Sequence, residues 1–435
     1  MNLIARRLAT SWTSGARRPP SPLNRYQTLP VVAVILILGL VVRSGWSAPE
    51  QSEVKKLPLP VLNEKLKHEL LGYLRQNHKS PEDYVLAKLK DHQIVFLGEY
   101  HRIKHDVELV QRLIPRLYDA GIYHLGIEFG VYRDQSRVDK LINAPDYDEQ
   151  AARDILFNWG VWWGYQEYLD IYRAAWELNH KLPRAAPRFR VVNLNAFADW
   201  SFVHTTADRN NPKVMKKVWP EGESDPFMAS VIFKQFVEKG QKALIYSGIH
   251  HAFTRYKQPI VERGQFVRFG DVRMGNLVSE KLGTDRVFTI CLHQPWRDAN
   301  DQKEIYPAEG VIDALLFNET DLRPVGFDLV GTPFGALGGK GSAYEKGHEP
   351  FRLELYADGY IYTKPISQYH GVTTDEKFIT ATNLEQSITQ FPNPEGKAKL
   401  ADLKMKTPID QLTKLLLEEG IKHDANIPQR FARFW

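Results

Sequence analysis

Between residues 94 and 292 the chain repeats one pattern: a short apolar run, a helical stretch, then another short apolar run. The runs occupy 94–97, 123–127, 190–194, 243–246 and 287–292 and are rich in Ile, Val, Leu and Tyr. Apolar residues at successive positions imply strands buried on both faces, as in parallel sheets covered by helices. Between the first two runs, Val107, Val110, Leu113, Ile114 and Leu117 share one face of a helix over 106–120. Gly121 stops that helix, and Pro115 inside it predicts a kink or a break. Further helices are expected over 134–142, 166–178, 227–238 and 276–281. Two more precede the first strand, over 61–74 and 81–90, with Ser80 as cap and Pro81 at the first position of the second. Strand–helix alternation of this kind specifies an α/β fold, a mostly parallel sheet with helices on both faces.

Beyond residue 300 the rhythm is lost. Asp358-Gly359, between apolar stretches at 351–356 and 360–362, is a hairpin signal. The glycine-rich stretch 331–347 is expected as a mobile loop. Its Gly338-Gly339-Lys340-Gly341-Ser342 lacks the spacing of a phosphate loop, since Gly follows Lys340 and no strand leads in. A last amphipathic helix is expected over 408–419. The chain therefore divides into 1–48, a linker at 49–60, an α/β domain at 61–300, and a C-terminal α+β extension at 301–435 packed on the same core.

The first 48 residues carry six arginines and no Lys, Asp or Glu, and contain the apolar run Leu29 to Val42 ahead of Gly45, Ser47 and Ala48. That is the layout of a signal peptide, with cleavage expected near Ser47 or Ala48, or of a retained signal-anchor. The run is 14 residues long, short against the roughly 20 of a spanning helix. An exported location is expected, periplasmic or at the cell surface, with inner-membrane anchoring if the segment is retained. Setting those six arginines aside from the 57 Lys and Arg leaves 51 against 52 Asp and Glu, a near balance. Without a basic surplus, nucleic acid is not an expected partner. Cys291 is the single cysteine, so neither an intramolecular disulfide nor a thiolate metal site can form, and inside an apolar strand it reads as an inert core residue.

Polar residues follow each apolar run: Glu99, Tyr100, His101 and then His105; Glu128; Asn195; Gly248, His250 and His251; His293. Parallel strands all point the same way, so these residues gather on one edge of the sheet, where α/β proteins bind ligands. Two carboxylates and several imidazoles suit a divalent metal such as zinc, manganese or iron. Without metal, the same groups serve as a general base and its orienting partner on a bound water. Gly98 and Gly248 permit a sharp turn or a close ligand approach at the strand ends. Each residue also has a plainer reading. Glu99 and His101 could be a loop cap and a solvated histidine. His105 could sit four residues from His101 on one helical face or be a surface histidine. Asn195 and His293 could be structural, and the aromatic run Trp159 to Tyr168 could be core.

The segment Val95-Phe96-Leu97-Gly98-Glu99-Tyr100-His101, with His105 following, resembles the opening motif of the ChaN-like haem-binding-uptake proteins of the Tiki superfamily. Leu125-Gly126-Ile127-Glu128 is similar to the next motif, and Arg133, Gln135 and Asp139 to the segment after it. Trp159, Trp162, Trp163, Tyr165 and Tyr168, the strand end Val192 to Asn195, and Gly248-Ile249-His250-His251 complete the ordered set, over roughly residues 90–295. The superfamily mixes haem-binding lipoproteins, metal-dependent proteases and erythromycin esterases with a Glu/His site. The resemblance implies Glu99, His101, Glu128 and His251 as the catalytic or metal-binding set. If haem is the ligand, Tyr100, His105, His250 and Tyr256 are the candidate cofactor contacts. The chain departs from the pattern in the doubled histidine at 250–251, in having no lipidation cysteine, and in its long C-terminal extension. Two functions are expected from these residues: a hydrolase acting on an ester or amide of a small molecule or peptide, or a haem- or iron-binding protein without turnover. Contact with a membrane is expected only through the N-terminal segment, if it is uncleaved.

Overall fold

The computed structural model describes residues 55–300 and 302–434. Residues 1–48, expected as a signal or anchor segment, and half of the expected linker lie outside the described residues. The strands in chain order are β1 (Ile94–Glu99), β2 (His124–Val131), β3 (Arg190–Asn195), β4 (Ala243–Gly248), β5 (Pro259–Glu262), β6 (Gln265–Phe269), β7 (Val287–Leu292), β8 (Trp296–Arg297), β9 (Glu304–Ile305), β10 (Val325–Asp328) and β11 (Gly359–Tyr362). Seven of them form one sheet in the order β10-β11-β7-β1-β4-β2-β3. All neighbours run parallel except β10 and β11. The fold is α/β, as the alternation predicts. The five expected strands are present, and four of them continue past the apolar run into the polar residues that follow it.

Side chains alternate across the sheet with the period of two that strands impose. Val95, Leu97, Leu244, Tyr246, Ile290 and Leu292 join the core on one face, with the helices Lys104–Asp119 and Gln166–Lys181. Ile94, Phe96, Ala243, Ile245 and Cys291 join the core on the other, with Ser224–Ile232 and Met274–Leu282. Pro115 lies within a single helix rather than breaking it. Val110, Leu113, Ile114 and Leu117 are buried on both sides of it, so packing offsets the one backbone bond that proline removes.

The C-terminal region departs most from expectation. Asp358-Gly359 makes no hairpin turn. Leu353–Tyr356 is a turn of helix, and β11 lies between β7 and β10. The reason is local: the Asp358 carboxylate accepts the Thr289 N–H at 2.8 Å, and the Asp358 N–H donates to the Thr289 carbonyl at 2.9 Å. The pair is thereby tied to β7. The stretch expected as a mobile loop is packed, with Phe334 and Leu337 buried and Gly339 seated against Phe351 and Trp296. The expected last helix divides into Ile409–Leu415 and a wider-wound continuation, Leu416–Lys422. The hairpin of β5 and β6, turning at Arg263-Gly264 with positive φ at both, was not foreseen because β6 lies largely exposed and has no apolar run.

Residues 370–374 strap the loop that follows β1. The Lys104 N–H donates to the His370 carbonyl at 3.0 Å, the Val372 N–H to the Arg102 carbonyl at 3.1 Å, and the Gln166 N–H to the Thr373 carbonyl at 2.8 Å. Glu167 accepts the Thr373 N–H at 2.7 Å. At Gly371 a Cβ would overlap the Ala425 carbonyl, so backbone meets backbone there. Gly371→Ala should therefore destabilise the protein by about 1–3 kcal/mol through overpacking. Urea unfolding would check this; an unchanged midpoint would show that the strap yields without cost.

Candidate Glu/His site at the strand ends

Glu99 closes β1 with its side chain in the interior, 1% exposed. A carboxylate so placed needs donors to replace its water. It has three. The Tyr168 hydroxyl donates to Oε1 at 2.6 Å, His101 Nδ1 shares Oε1 at 2.8 Å, and the Tyr246 hydroxyl donates to Oε2. Tyr246 stands on β4, where Leu97 of β1 pairs with it and Glu99 pairs with Gly248. Burial, reinforced by the charge of Glu99, holds both tyrosine pKa values well above the ordinary range, so both remain donors. Asp106, also buried, is pushed well up by burial and then by Glu99.

The bond to Glu99 fixes the His101 ring by Nδ1 and frees Nε2. The ring stands edge-on to Trp163 and Phe129, with centroids 5.3 and 5.6 Å away. About 35% of the His101 side chain remains exposed, which gives the site its access to water. Arg102, the next residue, has φ of 73°, a conformation non-glycine residues seldom take. It is held there by its N–H on the Tyr168 hydroxyl at 3.1 Å, its Nε on the Tyr165 hydroxyl at 2.9 Å, and its guanidinium 4.3 Å over the Trp163 ring. These contacts aim the residue before it.

A second pair faces the first across Gly248. Glu128, on β2, accepts the Gly248 N–H at Oε2 (2.8 Å) and lies 3.4 Å from His251 Nε2 through Oε1. The other His251 nitrogen, Nδ1, meets Asp225 Oδ1 at 2.6 Å. Asp225 also takes the Met274 N–H at 2.8 Å and Arg273 at 3.2 Å. Burial opposes charge on the His251 ring, but Asp225 and Glu128 together outweigh it and raise its pKa to about 9. Burial likewise opposes charge on Asp225, yet His251 and Arg273 bring it down to about 2. The two form a half-buried ion pair at neutral pH. A Cβ on Gly248 would lie 2.6 Å from His101 Cε1, 3.0 Å from its Nε2 and 3.6 Å from Glu128 Oε2. The two pairs thus converge on that bare Cα.

Glu99, His101, Glu128 and His251 are therefore brought together. The other candidates are not. His250 turns away in the short helix Ile249–Ala252, placing Nε2 2.9 Å from the Tyr344 hydroxyl, and its pKa falls to about 3 on burial. Tyr256 donates to the Tyr344 carbonyl at 2.5 Å. The Tyr100 hydroxyl accepts from Arg430 at 3.1 Å while its ring packs on Phe431. His105 is buried against Tyr369, and burial sets its pKa well below the usual range. It shares no helical face with His101, because the helix begins at Lys104. Asn195 accepts the Ser224 hydroxyl at 2.7 Å, and His293 lies between Tyr360 and Asp313; both are held within the protein.

The arrangement does not suit a metal. Among the described residues no three His, Cys, Asp or Glu side chains are grouped to hold an ion. The oxygens of Glu99 serve two tyrosines and a histidine, and Glu128 and Asp225 flank His251, so each carboxylate addresses a neighbouring ring rather than a shared centre. Sequence reasoning missed Tyr168, Tyr246, Asp225 and Arg273. The tyrosines looked like core aromatics, and Asp225 lies in an irregular polar stretch with no periodic signal.

No family model matches this chain, and no curated protein matches it. Distant similarities appear among solved structures. The ChaN protein of Campylobacter jejuni, described with cofacially bound haem, is 14% identical over 51% of this chain and 89% of its own, with a TM-score of 0.34. A Bacillus cereus protein is 11% identical over 73% of this chain and 100% of its own, with a TM-score of 0.43. A succinoglycan biosynthesis protein is 10% identical over 69% of this chain and 96% of its own, with a TM-score of 0.44.

Two outcomes follow from the geometry. Gly248→Ala should displace the His101 ring while leaving the sheet intact, visible as a shift of its imidazole resonances beside an unchanged circular dichroism spectrum. Undisturbed resonances would show that the ring does not rest on Gly248. The His251–Asp225 pair should shape the pH dependence of stability. A histidine raised from 6.5 to about 9 stabilises fully below 6.5, and that contribution drains away as pH climbs to about 9. An aspartate lowered from 3.8 to about 2 stabilises above 3.8 and loses this as pH falls to about 2. Denaturant titrations of the wild type and Asp225→Asn should differ most between those limits; parallel curves would count against the ion pair.

Proposed function

We propose that the chain is a hydrolase in which His101 activates water against an ester or amide carbonyl held near its Nε2. The observation that carries this reading is the Glu99–His101 pair: Nδ1 is tied to a buried carboxylate, and the Nε2 edge of the ring lies over a bare Cα facing Glu128. A carboxylate behind a histidine sets its tautomer and stabilises the imidazolium that forms. In the proposed reaction His101 Nε2 removes a proton from water as the oxygen attacks the carbonyl carbon. The bond to the leaving group breaks as the tetrahedral intermediate collapses, and the same nitrogen returns the proton to the leaving oxygen or nitrogen. Trp163 and Phe129 wall the ring and limit the water reaching it. The arginine-rich leader with its apolar run supports placing this activity outside the cytoplasm.

A panel of chromogenic p-nitrophenyl esters and anilides tests the proposal. The wild type should hydrolyse at least one of them. Glu99→Gln and His101→Gln should each lower that rate by about 100-fold to 10,000-fold, with unchanged circular dichroism. A Glu99→Gln protein that keeps its rate would remove Glu99 from the reaction. A wild type inert on the panel but giving a Soret band with haemin would favour haem binding instead.

A further inference from the structure

Four residues, 100–103, join β1 to the helix Lys104–Asp119. Three of them are held by one stretch far along the chain. The Tyr100 hydroxyl accepts from Arg430 at 3.1 Å, and its ring stands edge-on to Phe431 with centroids 5.4 Å apart. Arg102 Nη2 lies 3.4 Å from Asp424 Oδ2. Ile103 is buried in a small cluster with Ile366, Tyr369, Ile427, Phe431 and Phe434. The fourth residue is His101, whose ring instead meets Glu99.

Arg102 is the joint of this arrangement. A residue with a side chain leaves a φ of 73° unless it is held there. Tyr168, Tyr165 and the Trp163 ring hold it from the main core. The Tyr168 hydroxyl that receives the Arg102 N–H also donates to Glu99 Oε1, the oxygen that meets His101. Asp424 holds it from the other side, and Tyr165 itself donates to the Ile421 carbonyl at 3.3 Å. The distant stretch thus reaches Arg102 directly and through Tyr165. Relaxation at Arg102 turns the peptide joining it to His101 and draws the ring off Glu99. The stretch is also separable. Ile427, Phe431 and Phe434 pack in a cluster apart from the two large cores, and Ile427–Arg430 is a single turn of helix. Small satellite clusters open at lower cost than a main core.

We propose that residues 424–431 are a clasp that positions His101. With the clasp docked, Arg102 keeps its left-handed backbone and the imidazole stays on Glu99. With the clasp lifted, Arg102 relaxes and the ring comes free of that carboxylate. Asp424 and Arg430 are positioning residues, acting through Arg102 and Tyr100. The state of the rim is thereby conditional on this stretch: a cut before it, or competition for its apolar face, takes the histidine out of alignment. The inference rests on the Glu99–His101 pair as the working centre, not on which reaction that pair performs.

Nitrogen NMR spectra of the imidazoles in the full chain test it. In the wild type the neutral His101 ring should carry its proton on Nδ1, as a carboxylate partner there requires. The exposed His68 gives the signature of an unrestrained ring. Asp424→Ala combined with Arg430→Ala should move the His101 signals toward those of His68, while the His251 signals and the circular dichroism spectrum stay in place. Asp424→Glu, which keeps the charge, should retain the wild-type signals. In Arg102→Gly the left-handed backbone is free of strain and the guanidinium is gone, so Asp424→Ala should add no further shift there. Unmoved His101 signals in the double variant, His101 and His251 moving together, or an undiminished effect of Asp424→Ala in Arg102→Gly would each overturn the proposal. If the double variant does not fold, Asp424→Asn at its part-exposed position makes the same comparison. A protein inert on every ester and anilide, yet showing the held ring and its release, would defeat the hydrolase reading and leave the clasp standing.

Discussion

The rim of this protein depends on how one buried carboxylate is solvated. Glu99 has left water, and what replaces that water comes from three places in the chain: the loop just after β1, the helix Gln166–Lys181, and the strand β4. No two of these could be moved without leaving an oxygen or a hydroxyl bare in the interior. The parallel sheet makes this feasible. Register places Tyr246 opposite Leu97 and Gly248 opposite Glu99, so neighbouring strands deliver their groups at one level. His101 inherits its orientation from this cluster rather than from its own segment.

The second pair is built on different lines. Glu128 arrives on β2, His251 on a short turn after β4, and Asp225 on a helix of the opposite face. Around Glu99 the partners are neutral hydroxyls and one ring. Around His251 they are charged, with Arg273 completing an alternation of sign from Glu128 to Asp225 and beyond. Across Gly248 the group nearest the first pair is the Glu128 carboxylate, with the His251 ring behind it.

Most of the sheet was legible because its strands are buried on both faces, which leaves unbroken apolar runs in the sequence. Glu99 and Glu128 were legible for the complementary reason: an acidic residue at the end of such a run must have a partner. Other features carry no such mark. A tyrosine whose hydroxyl serves a carboxylate looks the same in sequence as one that fills a core, so Tyr168 and Tyr246 were hidden. The choice between His250 and His251 rests on the phase of a four-residue turn, and adjacent residues there point in different directions. His105 was misplaced because the helix starts at Lys104, past His101. Asp358-Gly359 has the composition of a turn, yet its carboxylate is captured by a strand of the main sheet, a long-range contact that local signals cannot reveal.

The strap has a consequence for how the rim comes into being. The loop bearing His101 is clamped by residues far along the chain; Lys104 and Thr373, for instance, meet although they stand 269 positions apart. Closure over such a span is entropically late. A ribosome releasing the chain from its amino end would have emitted every residue of the Glu/His cluster long before the segment that secures it. The unfinished polypeptide would hold those groups loosely, and their arrangement would be completed only when the tail had emerged and docked.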